Sequence, residues 1–203
     1  MLIHDVEQNS PEWYALRAGV PTASEFGRLV TGTGKESSQL EGYAKTLAVE
    51  VITGKTNSFN GNKWTDRGHE LEDEARQAYS FLTGREVTLV GFVTDDDKWY
   101  GCSPDSLVGD DRLLEIKCLK PENHLEALMR YKKNGSFDPK YMPQIQGQLL
   151  VTERKVVDLF FYHPDMPEVV VSIERDQRFI DLLKKQIETV IKRRDEIVKA
   201  VRS

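Results

Sequence analysis

Two carboxylates and a lysine in the segment Gly101 to Cys118, GCSPDSLVGDDRLLEIKC, are the residues whose types and spacing best suit chemistry. The runs Ser106-Leu107-Val108 and Leu113-Leu114 flank Gly109-Asp110-Asp111, and a three-residue loop between two apolar runs predicts a β-hairpin. With the turn centred on Asp110, Asp105 lies directly opposite Glu115. Facing residues of an antiparallel pair hold their Cβ atoms about 4.5–5.5 Å apart, so two like charges there repel unless something positive lies between them. A divalent cation meets that requirement. A period of two sends Leu114, Ile116 and Cys118 to one face and Glu115 and Lys117 to the other, which predicts a core face and a chemical face. Hard oxygen ligands hold Mg²⁺, the ion lowers the pKa of a bound water, and an adjacent ammonium orients that water or stabilises developing charge. These are the parts phosphodiester hydrolysis needs. A solvated hairpin whose acids happen to alternate is the plain alternative at this point.

The elements around the hairpin must place these groups. Ser10-Pro11 predicts the start of a short helix through Ala18, closed by Gly19, and Thr22-Ala23-Ser24-Glu25 has the form of a capping box opening a second helix to about Val30. Arg17 then precedes a fresh helix N-terminus, where its guanidinium, the Ser24 hydroxyl and backbone N–H groups would suit a phosphate. Alternatively Arg17 is a surface residue and Ser24 a passive helix position. Arg67 to Leu82 is a predicted helix with Leu71, Ala75, Ala78, Tyr79 and Leu82 in one arc. Glu72 lands at its margin, placed either as a further metal ligand or as an exposed helix acid. Pro143 predicts the first turn of a helix to about Val151, with Gln146 on the face of Met142, Leu149 and Leu150 and Gln144 pointing outward. An amide on an apolar face needs a partner, which could be a substrate phosphate or the backbone.

Further helices are expected over Leu40–Thr53, Glu122–Lys133 and Arg178–Val201, and strands over Val87–Thr94, Val156–Tyr162 and Val169–Ile173, with Trp99–Cys102 leading into the hairpin. The basic run Arg130-Tyr131-Lys132-Lys133 and the Lys/Arg face of the last helix are either solvated surfaces or tracks for a DNA backbone. Lys55–Lys63 is polar and turn-rich, the candidate for a mobile loop over the site.

At 203 residues the chain suits one α/β domain spanning 1–203. Cys102 and Cys118 are too few for a disulfide framework, and the four histidines lack zinc-ligand spacing. The net charge of −5 neither points to a nucleic-acid partner nor excludes one, because an acidic metal cluster lowers the sum. No apolar run is long enough for a membrane span and the first residues lack a signal-peptide layout, so a cytoplasmic protein with no membrane partner is expected.

Pro104-Asp105 followed by Glu115-Ile116-Lys117 resembles the PD-(D/E)xK signature of metal-dependent nucleases. The ordered set Leu16–Glu25, Gly68–Arg76, Ser103-Pro104-Asp105, Leu114–Cys118 and Met142–Gln146 further resembles the lambda-exonuclease (YqaJ-type) recombination nucleases of phages. That resemblance implies an α/β fold with a central mixed β-sheet flanked by helices, a restriction-endonuclease-like PD-(D/E)xK core, and a homotrimeric ring around duplex DNA. It implies Mg²⁺-dependent degradation of the 5′-ended strand of double-stranded DNA to mononucleotides, with Mn²⁺ as a substitute ion. The 3′ overhangs left behind would serve a single-strand DNA annealing protein. By the same resemblance Asp105, Glu115 and the Ile116 carbonyl are ligands of one metal, Glu72 and Asp105 hold a second, and Lys117 orients the water. Arg17, Ser24, Ser103 and Gln146 would form a pocket for the 5′-terminal phosphate. Two departures stand out: the segment from Asn57 to Trp64 does not align clearly with the family's strand-splitting region, where Trp64 is the candidate wedge, and Pro143 enters the glutamine motif. Another PD-(D/E)xK nuclease, either an endonuclease or a helicase-associated module, would share Asp105, Glu115 and Lys117 without needing the phosphate pocket. A non-catalytic DNA-binding protein of the same fold would have no reason to keep the facing acids.

Overall fold

The computed structural model describes residues 1–56 and 63–203, with backbone alone for 63–70. The expected loop over Lys55–Lys63, for the most part, and the wedge assigned to the Trp64 side chain lie outside the described residues.

The chain opens with a short strand, β1 (Leu2–His4), then α1 (Pro11–Arg17), whose N-cap Ser10 accepts a hydrogen bond from the Trp13 amide. The helix expected from Thr22 to Val30 is instead a six-residue 3-10 turn, Ala23–Arg28. Thr22 makes no capping bond with its side chain, because its hydroxyl is turned to Arg17 and Ser24. Helix α2 (Leu40–Thr53) matches its expected bounds, and α3 (Lys63–Thr83) begins four residues before the sequence pattern suggested.

The single strand expected over Val87–Thr94 is two. β2 (Val87–Thr88) and β3 (Phe92–Thr94) belong to different sheets, and the chain crosses between them at Gly91. A Cβ there would lie 1.9 Å from the Val6 carbonyl oxygen, so only glycine permits the passage. β4 (Gly101–Cys102) completes a three-stranded sheet of order β1-β3-β4. The hairpin follows as β5 (Ser106–Val108) and β6 (Arg112–Cys118), then α4 (Pro121–Asn134), α5 (Met142–Thr152), β7 (Val156–Tyr162), β8 (Val169–Glu174) and α6 (Gln177–Arg202).

These strands form a five-stranded sheet of order β2-β5-β6-β7-β8, antiparallel except for the parallel pair β6–β7. A parallel pair needs a crossover, and α4 and α5 supply it. β6 is therefore central and covered on both faces. Leu113 packs in the larger core with Leu149, Leu159, Phe161 and α6, while Leu114 and Ile116 pack with Ala75, Tyr79 and Phe160. The alternation holds, with Leu114, Ile116 and Cys118 in the cluster under α3 and Glu115 and Lys117 on the other face, but that polar face is itself covered, since Glu115 is only 3% exposed.

The second face is fixed by a buried acid. Asp158 of β7 is fully buried and accepts from the Tyr79 hydroxyl, the Ser172 hydroxyl, Arg85 and Arg112. Burial, reinforced by that bond, pushes the Tyr79 phenol up to about 12, so it stays a donor.

Candidate active site

The β5–β6 register pairs Ser106 with Leu114, Leu107 with Leu113 and Val108 with Arg112, which centres the turn on Asp110. Asp105 and Glu115 are the next residues on the two strands. Asp105 Oδ2 accepts the Ile116 amide N–H at 2.5 Å, so its carboxylate bonds the backbone beside Glu115. Burial raises the Asp105 pKa well above the usual carboxylate range, and the negative charges of Glu115 and Glu72 raise it further against the opposing pull of Lys117 and the Ile116 N–H. Glu72 on α3 is thereby close enough to be felt, although its Oε2 also lies 3.7 Å from Arg76 Nη1.

Glu115 is held by three donors. Its Oε1 accepts from Lys117 Nζ at 2.5 Å and from Gln144 Nε2 at 2.6 Å, and its Oε2 accepts from Gln148 Nε2 at 2.5 Å. Burial pulls the Lys117 pKa down, but Glu115 and Asp105 outweigh it and the net shift is upward, so the side chain remains an ammonium. Gln144, expected to point outward, instead reaches inward, because α5 is buried almost all round and has no outward face.

Whether these residues suit a divalent cation is answered by their chemistry. Among the described residues no three Asp, Glu, His or Cys side chains converge as a cage. A cation here would take part of its shell from Asp105 and Glu115 and the rest from a carbonyl such as that of Ile116 and from water, the pattern Mg²⁺ favours. The acids that push the Asp105 pKa upward supply the negative potential, and Gln148 Oε1, buried and without a hydrogen-bond partner, is an acceptor suited to water in such a shell. The donor set fits.

A second group of polar residues begins two positions from Asp105. Ser103 Oγ accepts the Trp13 indole N–H at 2.9 Å, and the Arg17 guanidinium lies 4.0 Å from the centroid of the Trp13 ring. Arg17 Nη2 donates to Thr22 Oγ1 at 3.3 Å, and Thr22 Oγ1 is 3.4 Å from Ser24 Oγ. Arg17, Ser24 and Ser103 are thus brought into one line through Trp13 and Thr22. Gln146 is elsewhere: fully buried, it donates to the Glu174 carbonyl and accepts the Asp176 N–H, joining the end of β8 to the cap of α6. Of the two partners its sequence setting allowed, the backbone is the one it has.

Three residues of this region escaped the sequence reading. Gln148 could have been found from its i, i+4 spacing to Gln144 on one helix face. Trp13 carries no signal beyond its proximity to Arg17. Arg154 is legible only in the structure, where its Nη1 donates to the carbonyls of Val108, Gly109 and Arg112 and pins the hairpin turn.

No curated protein matches the chain. Among solved structures, an alkaline exonuclease (LHK-Exo) from Laribacter hongkongensis superposes with a TM-score of 0.84 at 30% identity, over 95% of this chain and 96% of that one. The same exonuclease in complex with dAMP gives 0.83 at 31% identity, again over 95% and 96%. A phage related exonuclease from Haemophilus somnus 129PT shares the fold, with a TM-score of 0.69 at 18% identity over 90% of this chain and 96% of that one. The mixed sheet and its flanking helices are accordingly a PD-(D/E)xK fold. Residues 12–155 match the YqaJ-like viral recombinase domain, a span that runs from α1 through the hairpin to the end of α5 and contains every residue of the site just described, and to that family the chain belongs.

Proposed function

We propose that this protein is a metal-dependent DNA exonuclease that degrades the 5′-ended strand of linear duplex. The observation that carries the proposal is the continuity of two sites: Ser103, at the end of the Arg17 line, is two residues from Asp105, at the edge of the acids. Donors for a terminal phosphate beside carboxylates for a cation would set the scissile bond at the first nucleotide, so that each cut leaves a new phosphorylated end. Family membership and the similarity to a named alkaline exonuclease support the same reading.

In this scheme Asp105, Glu115 and the Ile116 carbonyl would hold Mg²⁺, and Glu72 with Asp105 would hold a second ion. Bound there, the cation would supply Lewis-acid stabilisation and a water of lowered pKa. Lys117, kept charged by its acidic neighbours, orients the attacking water and offsets charge developing on the phosphate. Arg17, half-buried and stacked on Trp13, meets a phosphate already partly desolvated, where a charge-assisted bond is strongest. Ser24 and Ser103 add hydroxyl donors. In the family scheme Gln146 belongs to this pocket as well; in this chain its amide is engaged with the backbone, and its part is to hold α5 against α6.

A homotrimeric ring enclosing DNA and a single-strand annealing protein as partner belong to the same proposal and rest on the family resemblance. Among the described residues no helix is long and apolar enough to cross a membrane.

End-labelled linear duplex, incubated with the protein and Mg²⁺, tests the reading. The 5′-phosphorylated strand should disappear from its 5′ end, a 5′-hydroxyl duplex should be cut far more slowly, and closed circles should survive. Rapid cutting of circles would make the protein an endonuclease.

A further inference from the structure

Gln144 and Gln148 stand one helical turn apart, so their side chains lie on one side of α5, while Gln146 between them lies on the other. Both bond the same carboxylate, Gln144 at Oε1 and Gln148 at Oε2. Gln144 is also a bridge, since its own Oε1 accepts from Lys117 Nζ at 3.2 Å. Neither amide can be reversed. A flipped Gln148 would set its carbonyl oxygen against Glu115, and a flipped Gln144 would do the same while turning its NH₂ toward the Lys117 ammonium. Gln148 is 1% exposed and its Oε1 has no hydrogen-bond partner, an arrangement that costs stability in a core. The side-chain bond it does make is the one to Glu115.

We propose that Gln144 and Gln148 form a two-amide clamp that fixes the Glu115 carboxylate as a cation ligand and, through Gln144, sets Lys117 against it. The proposal rests on the metal-dependent reading above. Both are positioning residues, acting through Glu115 and Lys117. An uncharged clamp suits this task better than a cationic one: an arginine in the same place would hold the carboxylate equally firmly but cancel its attraction for Mg²⁺. The amides orient both oxygens and leave the negative charge in place. Partners of this kind, one bond removed from a metal, typically change metal affinity or activity by about 10- to 100-fold when lost.

The test compares wild type with Gln144→Leu and Gln148→Leu, using Mn²⁺ as the probe in titration calorimetry on metal-free protein, alongside Tm in EDTA. Each variant should bind Mn²⁺ about tenfold or more weakly. In DNA cleavage kcat should fall with KM for DNA nearly unchanged, and raising Mg²⁺ should restore part of the rate, a response that a merely misfolded variant would not give. Gln144 is half-buried, so Gln144→Leu carries the test if Gln148→Leu fails to fold. A folded Gln144→Leu protein with wild-type Mn²⁺ affinity and wild-type Mg²⁺ dependence overturns the clamp. Wild-type protein that binds Mn²⁺ but leaves DNA intact overturns the exonuclease reading instead, and calorimetry still decides the clamp.

Discussion

Lys117 Nζ lies 2.5 Å from Glu115 Oε1, two residues back along the same central strand, in a part of the sheet buried on both faces. The pair is a salt bridge, yet Glu115 keeps two further donors, so removing the lysine does not strand the acid. Lys117→Met should therefore leave a folded protein whose cleavage rate is lower by about 10²-fold or more. Circular dichroism with a single-turnover assay checks both halves, and near wild-type cleavage would remove Lys117 from the chemistry.

Asp105 is where acid repulsion collects. Its raised pKa means that the metal-free folded state resists its ionisation, so the penalty grows as pH rises through the carboxylate range and persists at neutral pH. Asp105→Asn keeps an acceptor for the Ile116 N–H and removes the like charge. In EDTA the variant should melt higher by about 2–4 °C, the shift that about 1 kcal/mol produces in a chain of this size. It should also lose both cleavage and any stabilisation by Mg²⁺. A lower Tm in EDTA would mean that the Asp105 charge is already balanced without metal.

Arg17 should govern the preference for a phosphorylated end. Arg17→Ala removes a charge-assisted contact to phosphate, typically about 1.5–3 kcal/mol, and should shrink the rate advantage of 5′-phosphate over 5′-hydroxyl duplex by a corresponding factor of about 10 to 150. Trp13→Phe retains a ring under the guanidinium but loses the bond to Ser103, so it should give a smaller loss in the same direction. Rates on the two duplexes that fall in parallel would place Arg17 outside the end-binding site.

His124 offers a pH test remote from these acids. It is fully buried on α4 with its Nε2 2.9 Å from the Pro167 carbonyl, and the His163 ring lies near it, tilted by 50° at 5.6 Å between ring centroids. Burial lowers its pKa, and the neighbouring His163 lowers it further against the bond to Pro167. The unfolded chain then binds a proton at about 6.5 where the folded chain does not, so stability is greatest above that pH and is lost as pH falls below it. Melting at about pH 7.5 and about pH 5.5 should show a larger drop for wild type than for His124→Gln. Equal slopes would leave the acid sensitivity to other groups.

The hairpin was legible in the sequence because its turn residues and alternating side chains leave one register, and the ladder Ser106–Leu114 is that register. Helices α2 and α6 were legible from their apolar stripes and, for α2, from Gly54 at a left-handed cap. The amides on Glu115 were not, because a helix buried on nearly every side has no polar face to orient it, and periodicity then cannot tell Gln144 from Gln146. The sheet change at Gly91 was hidden for a related reason: β2 and β3 are too short for alternation to mark the break between them, and the requirement for glycine comes from Val6, far away in the chain.

The parallel pairing of β6 with β7 also bears on when during synthesis the centre comes into being. Arg112 and its partner Val156 are separated by the whole α4–α5 crossover, and Gln148 lies near the far end of that detour. A chain emerging from the ribosome exposes Asp105, Glu115 and Lys117 well before the amides and the neighbouring strand that fix them, and pairings this distant along a chain close late. The nascent polypeptide thus carries the acids before it carries the geometry, and under the proposed function cleavage of DNA is expected only once most of the domain has been made.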